Sequence, residues 1–112
     1  MTISTAIFKP HSNYTISASS TSSNTALTQV TPVEGVTANA GGNTILHIYN
    51  ATGAVAYFTW GKSAQTATNA GFAIAPGAIE TVDMGVPATN LGCILEAGAT
   101  AGSVYVSLGS GA

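Results

Sequence analysis

Short runs of alternating apolar residues, separated by turn residues, dominate this sequence and leave little room for helices. Threonine, valine, isoleucine and tyrosine recur in these runs, and no stretch shows the three- and four-residue apolar spacing of a helix face. The pattern predicts seven short strands and one weaker extended piece, the fifth in order, so seven or eight in all. They cover residues 14–18, 25–30, 44–49, 55–60, 72–75, 79–84, 92–96 and 103–108. Regularly spaced short strands predict an all-β fold, either a sandwich or a barrel. Of these we expect a two-sheet antiparallel β-sandwich of the jelly-roll type with about eight strands.

Turn residues between the runs predict how neighbouring strands connect. The segment 50–53 separates two strong strand patterns and ends in Gly53, which can adopt a positive φ, so residues 44–60 are predicted to form a β-hairpin. The glycine-rich segment 97–102 predicts a second hairpin between the last two strands. The Pro-Gly pair at 76–77 fits positions i+1 and i+2 of a type II turn.

The length of 112 residues fits one domain that can bury a core without a metal or a disulfide. We expect an extended N-terminal arm, residues 1–13, followed by a single sandwich domain, residues 14–112. Pro10 supports the arm, because proline disfavours helix at the residue before it and lacks a donor for a central strand. Three large apolar side chains of the arm need a surface to dock on: Ile3, Ile7 and Phe8.

Alternation within the strands predicts which faces are buried. Residues 44–50 place Leu46 and Ile48 on one face and Tyr49 on the other, and both faces are largely apolar. Such a strand is expected at the centre of a sheet, or with its outer face covered by another subunit. Residues 103–108 alternate more cleanly, with valines and leucine on one face and Tyr105 on the other, so this strand is predicted to be half exposed.

Charge is scarce: only 5% of the residues are charged, with two basic and four acidic side chains. A typical soluble domain is about a quarter charged, so this chain either relies on hydroxyls and amides for solubility or covers much of its surface in an assembly. Two separated lysines exclude an electrostatic nucleic-acid binder. The sequence shows neither a membrane-spanning apolar stretch nor a signal peptide, and we therefore expect synthesis in the cytoplasm and no membrane partner.

Reactive residues do not form a recognisable catalytic pattern. His11 and His47 lack zinc-ligand spacing, and Cys93 sits among apolar residues as a buried hydrophobe would. Glu80 and Asp83 are three apart on a strand and therefore point to opposite faces, which favours solvated edge charge over a carboxylate pair for glycoside cleavage. We expect no enzyme activity, no cofactor and no metal.

Aromatic residues cluster near the fourth strand, around Tyr57 and Trp60. They are suited to a core or subunit interface, with stacking on a sugar ring as the alternative. The candidate interface combines the arm with this aromatic cluster: Ile3, Ile7, Phe8, Tyr14, Tyr57 and Trp60.

Three motifs stand out in the last two-thirds of the chain. They are His47-Ile48-Tyr49-Asn50 continuing to Tyr57-Phe58-Thr59-Trp60-Gly61, Ala75-Pro76-Gly77-Ala78-Ile79-Glu80-Thr81, and Ser103-Val104-Tyr105-Val106. This set resembles small structural proteins of tailed bacteriophages, in which a hairpin ending in an aromatic-x-x-Gly precedes a Pro-Gly-x-x-Glu turn and a closing Val-x-Val strand. The resemblance implies a virion component, above all a capsid decoration (cement) protein, and no enzyme.

These expectations define one function and two alternatives. The chain is expected to stabilise a phage capsid from outside as a homo-oligomer, a trimer, in contact with the major capsid protein or another virion protein. One alternative is a receptor- or carbohydrate-binding module of a head fibre or tail tip. The other is a structural component of the neck or tail.

Overall fold

The eight strands of this protein are arranged in two four-stranded antiparallel sheets. The computed structural model describes residues 8–29 and 43–111, and none of these lies in a helix. No helix in those two ranges is long and apolar enough to cross a membrane. The strands are β1 (Phe8–Ala18), β2 (Ser23–Ala26), β3 (Ile45–Asn50), β4 (Ala56–Gly61), β5 (Phe72–Ile74), β6 (Ile79–Asp83), β7 (Asn90–Leu95) and β8 (Gly102–Gly111).

Strand pairing follows the jelly-roll scheme. Sheet I has the order β1-β8-β3-β6, and sheet II has the order β2-β7-β4-β5. The first strand pairs with the eighth, the second with the seventh, the third with the sixth and the fourth with the fifth. This is the pairing of one long hairpin, which is wrapped so that successive pairs alternate between the two sheets. The predicted two-sheet antiparallel sandwich with eight strands is therefore confirmed.

Both predicted local hairpins are wrong. β3 lies in sheet I and β4 in sheet II, so the segment 51–55 crosses between sheets, and the segment between β7 and β8 does the same. A turn sequence permits a chain reversal but does not select the partner, which here is set by burying the apolar faces of both strands in one core. Gly53 accordingly does not adopt a positive φ, whereas Gly77, Gly85 and Gly98 do.

The turn predicted at the Pro-Gly pair is present. Gly77 has a φ of 77°, and the N–H of Ala78 donates to the carbonyl of Ala75 at 3.1 Å. This hydrogen bond closes the turn that carries the chain from β5 in sheet II to β6 in sheet I. Proline at i+1 and glycine at i+2 therefore fix one of the corners of the sandwich.

The predicted arm is in part a strand of the sandwich. Residues 8–13 belong to β1, which is an edge strand and pairs with β8 from Phe8↔Gly111 onward. An edge position accommodates Pro10, and the register shifts between Pro10 and Ser12 to leave His11 as a bulge. The boundary predicted at residue 13 therefore falls inside a continuous strand. Residues 1–7, with Ile3 and Ile7, lie outside the described residues.

The core lies between the sheets, and its buried apolar side chains come from β1, β3, β4, β5, β7 and β8 and from connecting segments. In sheet I, Leu46, Ile48 and Val104 are fully buried, as the alternation predicts. Phe58 is the largest fully buried side chain and comes from β4 in sheet II. β3 lies between β8 and β6, which confirms the central position expected for a strand with two apolar faces.

Candidate functional site

The outer face of sheet I carries an exposed row of large side chains. Tyr105 of β8 is directly opposite Tyr49 of β3, which is directly opposite Ile79 of β6. Side chains opposite one another on neighbouring strands point the same way and touch. The exposed fractions are 47% for Tyr105, 39% for Tyr49 and 56% for Ile79. We call these three residues the tyrosine row.

The two rings of the tyrosine row support each other. Their centroids are 6.0 Å apart, with an angle of 20° between the planes, so they stack in parallel. Thr15 of β1 is opposite Tyr105 and extends the row across all four strands of sheet I. The row is therefore a continuous surface across sheet I, and stacking between its two rings favours this arrangement in the free protein.

A second row of side chains, which is polar, runs parallel to the tyrosine row and is offset from it by two residues along each strand. Ser107 donates from its hydroxyl to Oδ1 of Asn13 at 2.6 Å, and Nδ1 of His47 lies 3.0 Å from the hydroxyl oxygen of Thr81. His47 is thus a strand histidine whose ring is within hydrogen-bond distance of a neighbouring strand. These four side chains are uncharged polar or imidazole groups, so this part of the face offers hydrogen bonds and little fixed charge.

Acidic side chains lie at the edge of sheet I. Glu80 and Asp83 are exposed on β6, the edge strand, in keeping with their predicted role as solvated edge charges. Oδ1 of Asp83 accepts a hydrogen bond from the N–H of Gly85 at 2.8 Å. Within residues 8–29 and 43–111, no group of three or more His, Cys, Asp or Glu side chains could hold a metal ion.

The predicted contact residues of the sandwich do not form one surface. Tyr14 packs against the core, and its hydroxyl oxygen accepts a hydrogen bond from the N–H of Thr28 at 2.7 Å. Trp60 also packs against the core and meets Phe72 edge to face, with ring centroids 6.3 Å apart. Tyr57 is three residues from Trp60 on β4 and therefore lies on the other face of sheet II. Of the three predicted contact residues Ile3, Ile7 and Phe8, only Phe8 lies within the described residues, as the start of β1.

Tyr57 lines a groove on the outer face of sheet II. It is directly opposite Ile94 of β7, so the two side chains lie side by side on this face. The groove has a volume of about 270 Å³. Its lining residues come from the β1–β2 turn, from the segment between β4 and β5, and from the end of β7: Ser20, Tyr57, Ala67, Thr68, Asn69, Ile94, Leu95, Glu96 and Ala97.

The segment between β4 and β5 forms one wall of this groove and is fastened to sheet II. The N–H of Gln65 donates to Oδ1 of Asn24, and the N–H of Ala67 donates to the hydroxyl of Ser22, both at 2.8 Å. A Cβ at Gly92 would lie 2.9 Å from Cβ of Gln65. The wall therefore lies so close to β7 that only glycine fits at position 92. The groove is therefore held in shape by the fold.

Cys93 is buried in the core of sheet II, as predicted, and burial raises the pKa of its thiol from 9.0 to about 12. An unfolded chain exposes the thiol, which then ionises near its ordinary pKa. The stability contributed by the neutral buried thiol is thus fully present below about pH 9 and is lost as the pH rises toward about 12.

This burial predicts a pH dependence of stability. Between about pH 9 and pH 11, the wild-type chain should lose up to about 1.4 kcal/mol per pH unit relative to Cys93→Ala, which has no thiol to ionise. Urea unfolding of both chains at several pH values measures the difference. If the free energies of unfolding of the two chains change in parallel with pH over this range, the thiol is not shielded from water.

Tyr49, Ile79 and Tyr105 are not among the contact residues predicted from the sequence, although the sequence carries part of the signal. Alternation already separates Tyr49 from Leu46 and Ile48, and it already places Tyr105 on the exposed face of its strand. Their meeting in one row depends on the pairing of β8, β3 and β6, which the individual strand patterns do not specify.

Comparison with known proteins adds no relative: no protein-family model, no curated protein and no solved structure matches the chain.

Proposed function

We propose that this chain is a structural protein of a tailed-bacteriophage virion, a capsid decoration protein that binds the outside of the head and stabilises the shell. The tyrosine row on the outer face of sheet I carries the proposal, because exposed contiguous apolar rows on a soluble domain mark contact surfaces. In this proposal the protein has no catalytic role. It is made in the host cytoplasm and becomes part of the virion.

The tyrosine row draws one residue from each motif that resembles phage structural proteins. Tyr49 belongs to the first motif, Ile79 to the second and Tyr105 to the third. These motifs are far apart in the chain, and strand pairing brings the three side chains onto one exposed face. The convergence supports a shared role for the motifs in forming a contact surface beyond their role in forming turns.

The chemistry of the face is suited to a shell protein. Tyrosine is enriched at protein interfaces, since a rigid ring buries a large area at little entropic cost and its hydroxyl keeps a polar partner. The hydroxyls and amide beside the row supply hydrogen bonds to the rim of such a contact. Self-association into a trimer would present several copies of the face to the capsid lattice, so that modest single contacts add up through avidity.

Two other functions remain as alternatives with the same fold. A neck or tail component would use the same outer face on a different virion partner. A receptor- or carbohydrate-binding module of a head fibre or tail tip is favoured by a different observation, the groove at Tyr57.

The test is co-sedimentation of the purified chain with empty heads, together with mass analysis of heads and tails from the virus that encodes it. We expect the chain in the head fraction and co-sedimenting with heads. A variant that lacks residues 1–7 is expected to remain folded and to bind more weakly if the N-terminal residues dock on a neighbour. The deletion must not extend beyond residue 7, because residues 8–10 and 12 pair with β8. Detection of the chain only in tails, or a failure to co-sediment with heads, would contradict the decoration role.

A further inference from the structure

We propose that the groove on the outer face of sheet II is a binding site for a neutral saccharide. The groove uses the sheet opposite to the tyrosine row, so this proposal and the capsid proposal can fail separately. Its chemistry comes from an apolar floor with polar groups around the rim.

The floor of the groove is suited to the apolar face of a sugar ring. Tyr57 and Ile94 are directly opposite each other on β4 and β7, which places an aromatic ring beside a branched aliphatic side chain. A pyranose presents C–H groups on its faces and hydroxyls around its edge. The ring face can therefore cover Tyr57 and Ile94 while the hydroxyls point to the walls.

The rim of the groove supplies the hydrogen-bonding groups that hydroxyls need. Ser20, Thr68 and Asn69 lie at the rim with Glu96, and together they offer hydroxyl, amide and carboxylate groups. The side chains of Ser20 and Asn69 make no hydrogen bond with another described residue and are free to bind a ligand. Glu96 accepts only a long contact of 3.4 Å from the N–H of Val55, which leaves its oxygens open to a ligand hydroxyl.

Charge and shape favour a neutral saccharide over other ligands. The lining residues include one carboxylate and no lysine, arginine or histidine, so phosphates, nucleotides and acidic sugars have no cation to pair with. A volume of about 270 Å³ in an open groove fits one sugar unit with its neighbours extending past the ends. An acyl chain would leave the polar rim unsatisfied.

The groove is formed before the ligand arrives. Its wall at residues 65–67 is held by hydrogen bonds that the N–H groups of Gln65 and Ala67 donate to Asn24 and Ser22, and its floor belongs to two central strands of sheet II. A preformed site avoids the entropic cost of ordering a loop on binding.

The experiment titrates the full chain with neutral trisaccharides of glucose and of N-acetylglucosamine, in α- and β-linked forms, and with sialyllactose as an acidic probe. Backbone amide shifts in NMR spectra locate the site. We expect at least one neutral trisaccharide to shift residues 57, 69 and 94–97, and sialyllactose to shift none of them.

Matched variants separate stacking from nonspecific effects. Tyr57→Ala should raise the Kd about tenfold, and Tyr57→Phe should stay within about threefold of wild type, since it keeps the ring. Asn69→Ala should weaken binding by about threefold or more through the lost amide. Tyr105→Ala, on the other outer face, should leave the Kd unchanged. The proposal is overturned if no neutral probe binds, if shifts fall outside the groove, or if sialyllactose binds equally well.

Discussion

Replacing Asn50 with alanine is expected to lower the free energy of unfolding by about 3 kcal/mol, a large share of the stability of a small domain. Asn50 is fully buried at the end of β3. Its Nδ2 donates to the carbonyls of Ala54 at 2.8 Å and Ile74 at 3.0 Å, and its Oδ1 accepts from the N–H of Thr52 at 3.0 Å. Alanine would remove these three hydrogen bonds and leave the N–H of Thr52 without the amide oxygen, while the carbonyl of Ala54 would keep only the bond from the hydroxyl of Thr52 at 2.9 Å.

The position of Asn50 explains why one amide has so large an effect. β3 belongs to sheet I, whereas Ala54 precedes β4 and Ile74 ends β5, both in sheet II. The main chain of Asn50 adds two more bonds, since its N–H donates to the carbonyl of Ala78 and its carbonyl accepts from the N–H of Gly77. Asn50 therefore joins both connections that cross between the sheets at this corner. Because its side chain is fully buried, water cannot replace the hydrogen bonds of its amide.

Urea unfolding of three variants tests this role. Asn50→Asp should be at least as destabilising at neutral pH as Asn50→Ala, because a carboxylate would face two carbonyl oxygens and donate to neither. Asn13→Ala makes the same truncation at an exposed position and should cost less than about 1 kcal/mol. An Asn50→Ala chain as stable as Asn13→Ala would mean that the corner is held without this amide.

Strand positions could be predicted from the sequence, because a period of two residues reports burial on one face of a strand whatever its partner is. All eight strands, including the weak β5, lie where the pattern predicts them, with ends that differ by a few residues. The largest difference is at β1, which begins at Phe8 rather than residue 14. Its early part has few apolar residues to show a pattern, and its pairing with β8 comes from the far end of the chain.

Strand partners were harder to predict than strand positions. The residues around Gly53 and Gly98 reverse the chain, which in sequence looks like a hairpin, but each reversal passes from one sheet to the other. Buried side chains such as Asn50 contribute to the difference, because its amide also donates to the carbonyl of Ile74, which is 24 residues away. A turn motif contains no information about such partners.

The candidate contact surface could be predicted only in part, for the same reason. The sequence places Tyr49 and Tyr105 on exposed faces, but their contact requires β8 to lie beside β3, which is a pairing of distant segments. Grouping Tyr57 with Trp60 followed their closeness in sequence, whereas an offset of three residues in a strand separates them onto opposite faces. Closeness in sequence is therefore a poor guide to a shared face in this fold.

Removal of the tyrosine row is expected to abolish binding to heads without unfolding the protein. In the triple variant Tyr49→Thr, Ile79→Thr and Tyr105→Thr, each change keeps a residue that favours strands and removes an exposed side chain. Exposed substitutions usually change stability by less than about 0.5 kcal/mol each. Interface tyrosines are frequent hot spots worth about 2 kcal/mol or more, so the affinity for heads should fall at least about 100-fold.

The control Tyr57→Thr makes the same kind of change on the outer face of sheet II and should bind heads like the wild type. Co-sedimentation at low and high salt adds a second criterion, because a contact made by uncharged side chains should be nearly independent of ionic strength. A folded triple variant that still binds heads would exclude the tyrosine row as the contact surface. Strong weakening by salt would instead point to the few charged residues, among which Glu80 and Asp83 lie at the edge of sheet I.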